Sequence, residues 1–119
     1  MNNILTFAYI GDSVFELYVR EMLIKRGIVK INLLQKEAVK YVSAVGQVVF
    51  LEYLINHNIL TELELDIVKR GRNNSRSFHP KNTDILTYKK ATGFEALIGY
   101  LYLNDKDRLN EILGHVEVI

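Results

Sequence analysis

Two acidic residues lie in apolar, helix-forming stretches that are far apart in the chain. Asp12 lies within the run FAYIGDSVF, and Glu95 lies within the run TGFEALIGY. A carboxylate among apolar neighbours is costly to bury unless it is paired or binds a cation. Two such acids that converge from separate helices form an oxygen site suited to a hard divalent cation such as Mg²⁺. The sequence therefore predicts a two-acid metal site at Asp12 and Glu95.

Each acid also has a purely structural interpretation, which the residues alone leave open. Asp12 could cap a helix or form a buried salt bridge. Glu95 could pair with Lys90 or with Arg72. Either arrangement would satisfy the carboxylate without a metal ion.

A third acid, Glu16, lies one helical turn after Asp12 and on the same face. The ordinary expectation for Glu16 is an ion pair with Arg20, four residues on. Its spacing does not show whether it contributes to a metal site through a water molecule.

Helical periodicity must position these acids, because apolar residues recur at steps of three and four along most of the chain. Thr61 and Glu64 form the pattern of a capping box, and Asp105 is a further candidate cap. The pattern predicts six helices: Ile4–Lys25, Asn32–Ala44, Gln47–His57, Thr61 to Lys69 or Arg70, Thr83 or Thr87 through Leu103, and Asp105 through Gly114. The first is interrupted at Gly11 and has a C-cap at Gly27, and Gly46 opens the third. The second is capped by Asn32, and its inward residues are Leu33, Leu34, Ala38, Tyr41 and Val42. Gly71–Asn82, which contains the single proline, is predicted to be a loop.

Composition places these helices in one all-α domain spanning residues 1–119. The chain has 119 residues, of which 49% are hydrophobic and 24% charged, and this is enough to bury a core. It contains no cysteine, which excludes disulfides and thiolate metal sites. No apolar run approaches the roughly 18 residues of a membrane span, so we expect a cytoplasmic protein with no membrane partner.

The net charge of +1 hides a basic segment. Residues 69–90 contain seven basic residues and one acid, whereas the other 97 residues contain eight basic and thirteen acidic residues. A patch of this kind can bind a polyanion, although a charge run can also be only a solvated loop.

Three runs resemble the ribonuclease III family. YIGDSVFEL at residues 9–17 resembles its signature helix, and FEALIGYLYL at residues 94–103 resembles its second acidic helix. The start at Ala8, KRGRN at residues 69–73 and TGFEA at residues 92–96 are similar to Mini-ribonuclease III, the short bacterial branch without the double-stranded-RNA-binding domain. The resemblance covers almost the whole chain.

The resemblance implies an all-α endonuclease domain that cleaves double-stranded RNA with Mg²⁺. The full-length pattern has further acids at two positions that are Ala8 and Thr92 here. Only Asp12 and Glu95 therefore carry over as catalytic metal ligands, and the short branch shares this reduced set. None of the histidines His57, His79 and His115 is assigned to catalysis.

The resemblance also implies a homodimer with one site per subunit and a role in the maturation of ribosomal RNA precursors, with a ribosomal protein as a further partner that presents the RNA. We expect Phe7 or Phe15 of the signature helix at the dimer interface, the alternative being that they complete the core. The candidate RNA-binding residues are Arg70, Arg72, Asn73, Arg76, Lys81 and Lys90.

Two functions from other classes compete with this one. The first is a non-catalytic RNA-binding or scaffold module of the same fold, which would be indicated by loss of Asp12 or Glu95. Both acids are present. The second is a helical dimer that binds a protein partner, which would show neither metal dependence nor salt-sensitive RNA binding.

Overall fold

The structure, a computed structural model, describes residues 3–75 and 84–119. These residues form α-helices and one short 3-10 helix, with no strand among them, which confirms the predicted all-α class. The helices are α1 (Ile4–Lys25), α2 (Ile31–Val42), α3 (Ala44–Asn56), α4 (Glu62–Asn74), α5 (Ile85–Asn104) and α6 (Lys106–Gly114), and the 3-10 helix is His115–Val118.

Several helix ends lie where the sequence places them. Helix α1 has its predicted bounds, and Gly27 follows it with a φ of 94°, a backbone conformation that glycine adopts readily. Thr61 and Glu64 form a complete capping box at the start of α4. The side chain of Asp105 accepts a hydrogen bond from the Arg108 backbone at 3.1 Å and caps α6.

Helices α2 and α3 differ from their predicted bounds. Asn32 is not a cap, because α2 begins one residue earlier, after Lys30. Ser43 interrupts the predicted run to Ala44, since its side chain accepts a hydrogen bond from the Gly46 backbone and caps α3. Leu33, predicted to be inward, is 45% exposed.

Two further predictions concern the segment between the acidic helices. Helix α4 continues past Arg70 to Asn74, so the first part of the predicted loop is helical. Gly71 does not end the helix, and it packs directly on α5, where an added Cβ would lie 2.9 Å from the Gly93 Cα. Asp84 caps α5 in place of Thr87, while Thr83 lies outside the described residues.

Helix α5 is the central element, and it packs against α1, α3, α4 and α6. Three fully buried phenylalanines, Phe15, Phe50 and Phe94, join α1, α3 and α5. The Phe94 ring meets the Phe15 ring edge-on at 5.0 Å and the Phe50 ring at 5.7 Å. The prediction that Phe15 lies at a dimer interface is therefore wrong, because this side chain completes the core. Phe7 is partly buried and packs edge-on against Tyr100.

A buried ion pair joins α6 to α4. The Arg108 guanidinium donates to both carboxylate oxygens of Glu64, at 2.7 and 2.8 Å, and also to the Ile59 carbonyl at 2.7 Å. Burial raises the pKa of Glu64, but the hydrogen bonds from Arg108 and Thr61 outweigh it and hold this pKa below 4.5. This pair therefore ties α6 to the start of α4.

Within the described residues, no single helix is long and apolar enough to span a membrane. Helices α2 and α3, which are bent by 51° relative to each other, together have the length and apolar composition of a span.

Candidate active site

The two acidic helices cross with their backbones in direct contact. A Cβ added at Gly11 of α1 would overlap the Glu95 carbonyl oxygen and lie 2.7 Å from the Gly99 nitrogen. A Cβ added at Gly99 of α5 would overlap the Phe7 carbonyl oxygen. The prediction that Gly11 interrupts α1 is wrong, because the helix is continuous there. Glycine at this position serves the close crossing, and this places Asp12 beside Glu95.

The carboxyl groups of Asp12 and Glu95 lie close enough together for the charge of Asp12 to act on Glu95. Asp12 is exposed, whereas Glu95 is half-buried in an otherwise apolar stretch of α5. Burial, and then the nearby charge of Asp12, raise the pKa of Glu95 to about 8, and a hydrogen bond from Gln47 opposes this increase. The predicted convergence of the two acids from separate helices is therefore present in the structure.

The structural alternatives for these acids are not found. Within residues 3–75 and 84–119, neither Asp12 nor Glu95 forms an ion pair. Lys90 pairs instead with Glu52 at 3.2 Å. Arg72 donates to the side chain of Asn73 at 3.4 Å.

Glu16 makes the ordinary contact expected of it. Its carboxylate forms an ion pair with Arg20, four residues on along α1. This pair satisfies Glu16 at the surface of the helix, so the metal-site interpretation stays with Asp12 and Glu95.

Gln47 of α3 is a site residue that sequence reasoning missed. It is only 2% exposed, and its Nε2 donates to Glu95 Oε2 at 3.1 Å and to the Val42 carbonyl at 3.4 Å. Its Oε1 has no hydrogen-bond partner among the described residues. The available signal was a polar amide within the apolar run AVGQVVFLEYL.

The donor chemistry of this site fits a hard divalent cation. Within the described part of the chain, no group of three or more His, Cys, Asp or Glu residues comes together. Mg²⁺ does not require such a group, because it is commonly held by one or two carboxylates while waters and substrate phosphates complete its coordination. The Asp12 and Glu95 carboxylates, which have no cationic partner among the described residues, supply that reduced set.

The two positions that carry acids in the full-length family pattern do not add carboxylates. Ala8 and Thr92 lie one turn before Asp12 and Glu95 and are each 7% exposed. The Thr92 hydroxyl donates to the Tyr88 carbonyl of its own helix at 3.0 Å. Both positions are therefore filled without adding charge to the site.

The predicted RNA-binding residues are only partly described. Arg70, Arg72 and Asn73 lie near the C-terminal end of α4, where Arg70 and Asn73 are exposed and Arg72 is half-buried. This end of α4 lies against α5, since a Cβ added at Gly93 would be 3.3 Å from the Arg72 nitrogen. Lys90 lies in α5 and pairs with Glu52. Arg76 and Lys81 lie outside the described residues.

The chain is similar to known proteins over most of its length. The ribonuclease III domain matches residues 5–106. The chain belongs to the ribonuclease III family. The Mini-ribonuclease 3 of Symbiobacterium thermophilum is 47% identical over 92% of this chain and 83% of its own, and that of Staphylococcus aureus is 43% identical over 98% and 88%. A crystal structure of a Fusobacterium nucleatum protein superposes with a TM-score of 0.82 and 31% identity, over 96% of this chain and 90% of that one.

Membership of the ribonuclease III family confirms the resemblance read from the acidic helices, including its short Mini-ribonuclease III branch. It also confirms the fold class and the general activity, that of a ribonuclease III-type endoribonuclease.

Proposed function

We propose that this chain cleaves double-stranded RNA by metal-dependent hydrolysis of a phosphodiester, with Mg²⁺ held by Asp12 and Glu95. The convergence of these two acids carries the proposal, because the crossing at Gly11 brings them together from different helices without a basic partner among the described residues. Uncompensated acids in a half-buried site favour a cation.

The residues of the chain have separate tasks in this proposal. Asp12 and Glu95 act as anionic oxygen ligands, which requires both carboxyl groups to be deprotonated. A divalent cation bound there supplies Lewis-acid chemistry, neutralising charge on the scissile phosphate and lowering the pKa of water. Arg70 and Arg72, one helix away from Glu95, contact backbone phosphates and hold the duplex against the site.

The remaining RNA contacts are proposed from the charge of the segment. Asn73, Arg76, Lys81 and Lys90 extend the same basic surface. An A-form duplex is recognised mainly through its backbone and 2′-hydroxyl groups across the minor groove. Side chains of these types suit that kind of recognition.

The proposed assembly is a cytoplasmic homodimer with one site per subunit, which acts on ribosomal RNA precursors that a ribosomal protein presents. Exposed apolar side chains on α1 support an interface there: Tyr9 is 84% exposed, Leu17 60% and Ile24 55%. Sedimentation at micromolar concentration tests this assembly, and a monomer there would contradict it.

Substitution of the two acids tests the activity. Asp12→Asn and Glu95→Gln keep side-chain shape but remove the charge, so each should abolish cleavage of duplex RNA while the circular dichroism spectrum stays unchanged. Glu16→Gln is the matched control, since it removes an acid of the same helix that is paired with Arg20.

The assay compares cleavage by the wild type in Mg²⁺ and in EDTA, and RNA binding in Ca²⁺. Cleavage at the wild-type rate by either Asp12→Asn or Glu95→Gln would contradict the site assignment. RNA binding by the wild type without cleavage in Mg²⁺ would favour the non-catalytic RNA-binding module.

A further inference from the structure

The carboxylate of Glu95 is held by a side chain from a third helix. Gln47 Nε2 donates to Glu95 Oε2 at 3.1 Å, across a separation of 48 residues in sequence. Since Gln47 is only 2% exposed, solvent water does not compete for this hydrogen bond. Among the described residues, this is the polar contact that ties the Glu95 carboxylate to an element other than α1.

The corner between α2 and α3 determines the direction of Gln47. Ser43, four residues before Gln47, caps α3, and its hydroxyl accepts a hydrogen bond from the Gly46 backbone at 3.1 Å. Gly46 lies so close to the end of α2 that an added Cβ would be 2.7 Å from the Tyr41 carbonyl oxygen and would overlap that of Lys40. The backbone before Gln47 is therefore fixed on two sides, and the amide has little freedom to turn away.

The amide orientation follows from its neighbours. Nε2 contacts two acceptors, the Glu95 carboxylate and the Val42 carbonyl, so exchanging Nε2 and Oε1 would place three oxygens against one another. Its Oε1 is left as a buried acceptor without a partner among the described residues. A buried amide with one unpaired atom does not suit a side chain whose task is only to fill the core.

We propose that Gln47 is a positioning residue that holds Glu95 as a metal ligand, an inference that rests on the proposed metal-dependent function. By donating to Oε2 of Glu95, the amide restricts the rotation of the carboxylate. Residues that orient metal ligands in this way typically change metal affinity or activity by about 10- to 100-fold when they are replaced.

Gln47→Met is the primary test, because methionine is unbranched and fills similar space without a donor. We expect it to weaken Mn²⁺ binding to the metal-free protein by about 10- to 100-fold, measured from the free Mn²⁺ signal in electron paramagnetic resonance. The Mg²⁺ concentration for half-maximal cleavage should rise by a similar factor. RNA affinity in Ca²⁺ should stay at the wild-type value, since the basic residues of α4 are untouched.

Two further variants separate positioning from core packing. Gln47→Asn keeps the amide but shortens the side chain, and it should weaken Mn²⁺ binding in the same direction. Leu51→Ala lies one turn further along α3 in the core. It should lower the melting temperature while Mn²⁺ binding stays at the wild-type value.

Wild-type Mn²⁺ binding in both Gln47 variants would overturn the inference, as would an equal loss of Mn²⁺ binding in Leu51→Ala. Asp12→Asn separates this failure from a failure of the proposed function. If Asp12→Asn abolishes Mn²⁺ binding while the Gln47 variants bind normally, only the positioning role is wrong. If the wild type itself binds no Mn²⁺, both proposals are wrong.

Discussion

Replacement of Gly11 by alanine should damage both the fold and the active site. A Cβ at this position would lie 2.7 Å from the Gly99 nitrogen, whereas an ordinary contact is 3.4 Å or more. Because the neighbouring atoms belong to the α5 backbone, α1 and α5 must separate by at least about 0.7 Å. Overpacking of this kind costs about 3 kcal/mol, and the higher helix propensity of alanine returns about 1 kcal/mol.

The net loss of about 2 kcal/mol should lower the melting temperature by roughly 8 °C in a domain of this size. Since the same crossing places Asp12 beside Glu95, cleavage should also slow by about a hundredfold, the typical result of an ångström of misplacement. Thermal unfolding by circular dichroism and single-turnover cleavage of duplex RNA at saturating Mg²⁺ measure the two effects.

Gly114→Ala is the matched control, because no atom of the described residues beyond its own helix and chain neighbours lies within 4 Å of a Cβ added there. It should leave both cleavage and the melting temperature at or slightly above wild-type values. The reasoning fails if Gly11→Ala also melts and cleaves like the wild type. A lower melting temperature with normal cleavage would separate the helix crossing from the active site.

The remaining predictions concern charge. Arg70→Ala and Arg72→Ala should each weaken duplex binding and reduce the slope of log binding constant against log salt concentration by up to about one. Lys25→Ala, at the far end of α1, should leave this slope unchanged. An unchanged slope in the arginine variants would exclude phosphate contacts. Glu64→Gln should destabilise the protein at pH 7 by about 3 kcal/mol. Hydrogen bonds hold the pKa of Glu64 below 4.5, so the difference in unfolding free energy between wild type and variant should shrink as the pH falls below that value. Burial and Asp12 raise the pKa of Glu95 to about 8, so the metal-free protein should lose stability as pH rises from 4.5 towards 8, and Asp12→Asn should flatten that loss in thermal melts. The same protonation should raise the Mg²⁺ concentration needed for half-maximal cleavage at pH 6.5 above that at pH 8.5.

Features set by local chemistry could be predicted from the sequence. The capping box of Thr61 and Glu64 and the Asp105 cap depend on residues three positions apart, so the sequence contains the whole interaction. The two acids could be found because a carboxylate in an apolar helix is unusual in itself. Their convergence needed only the assumption that the helices pack together.

Features set by tertiary contacts could not be predicted in this way. A glycine within a helical pattern indicates an interruption by propensity, but Gly11 and Gly71 lie where backbones touch, and the helices continue through them. Phe15 was expected at an interface because apolar periodicity does not distinguish a core from a contact surface. Gln47 was missed because its partner lies 48 residues away.

Two carboxylates, rather than more, limit the like-charge repulsion in this site before a cation binds. Glu95 already has a raised pKa with one acidic neighbour, so a further acid in the buried positions of Ala8 or Thr92 would add another negative charge to the site. Such a charge would destabilise the metal-free fold, because burying an unpaired carboxylate is costly. With two acids, the crossing at Gly11 stays compatible with a folded protein before a cation binds. The other ligands of that cation are then left to water and to the phosphates of the RNA, which makes its full coordination dependent on the substrate.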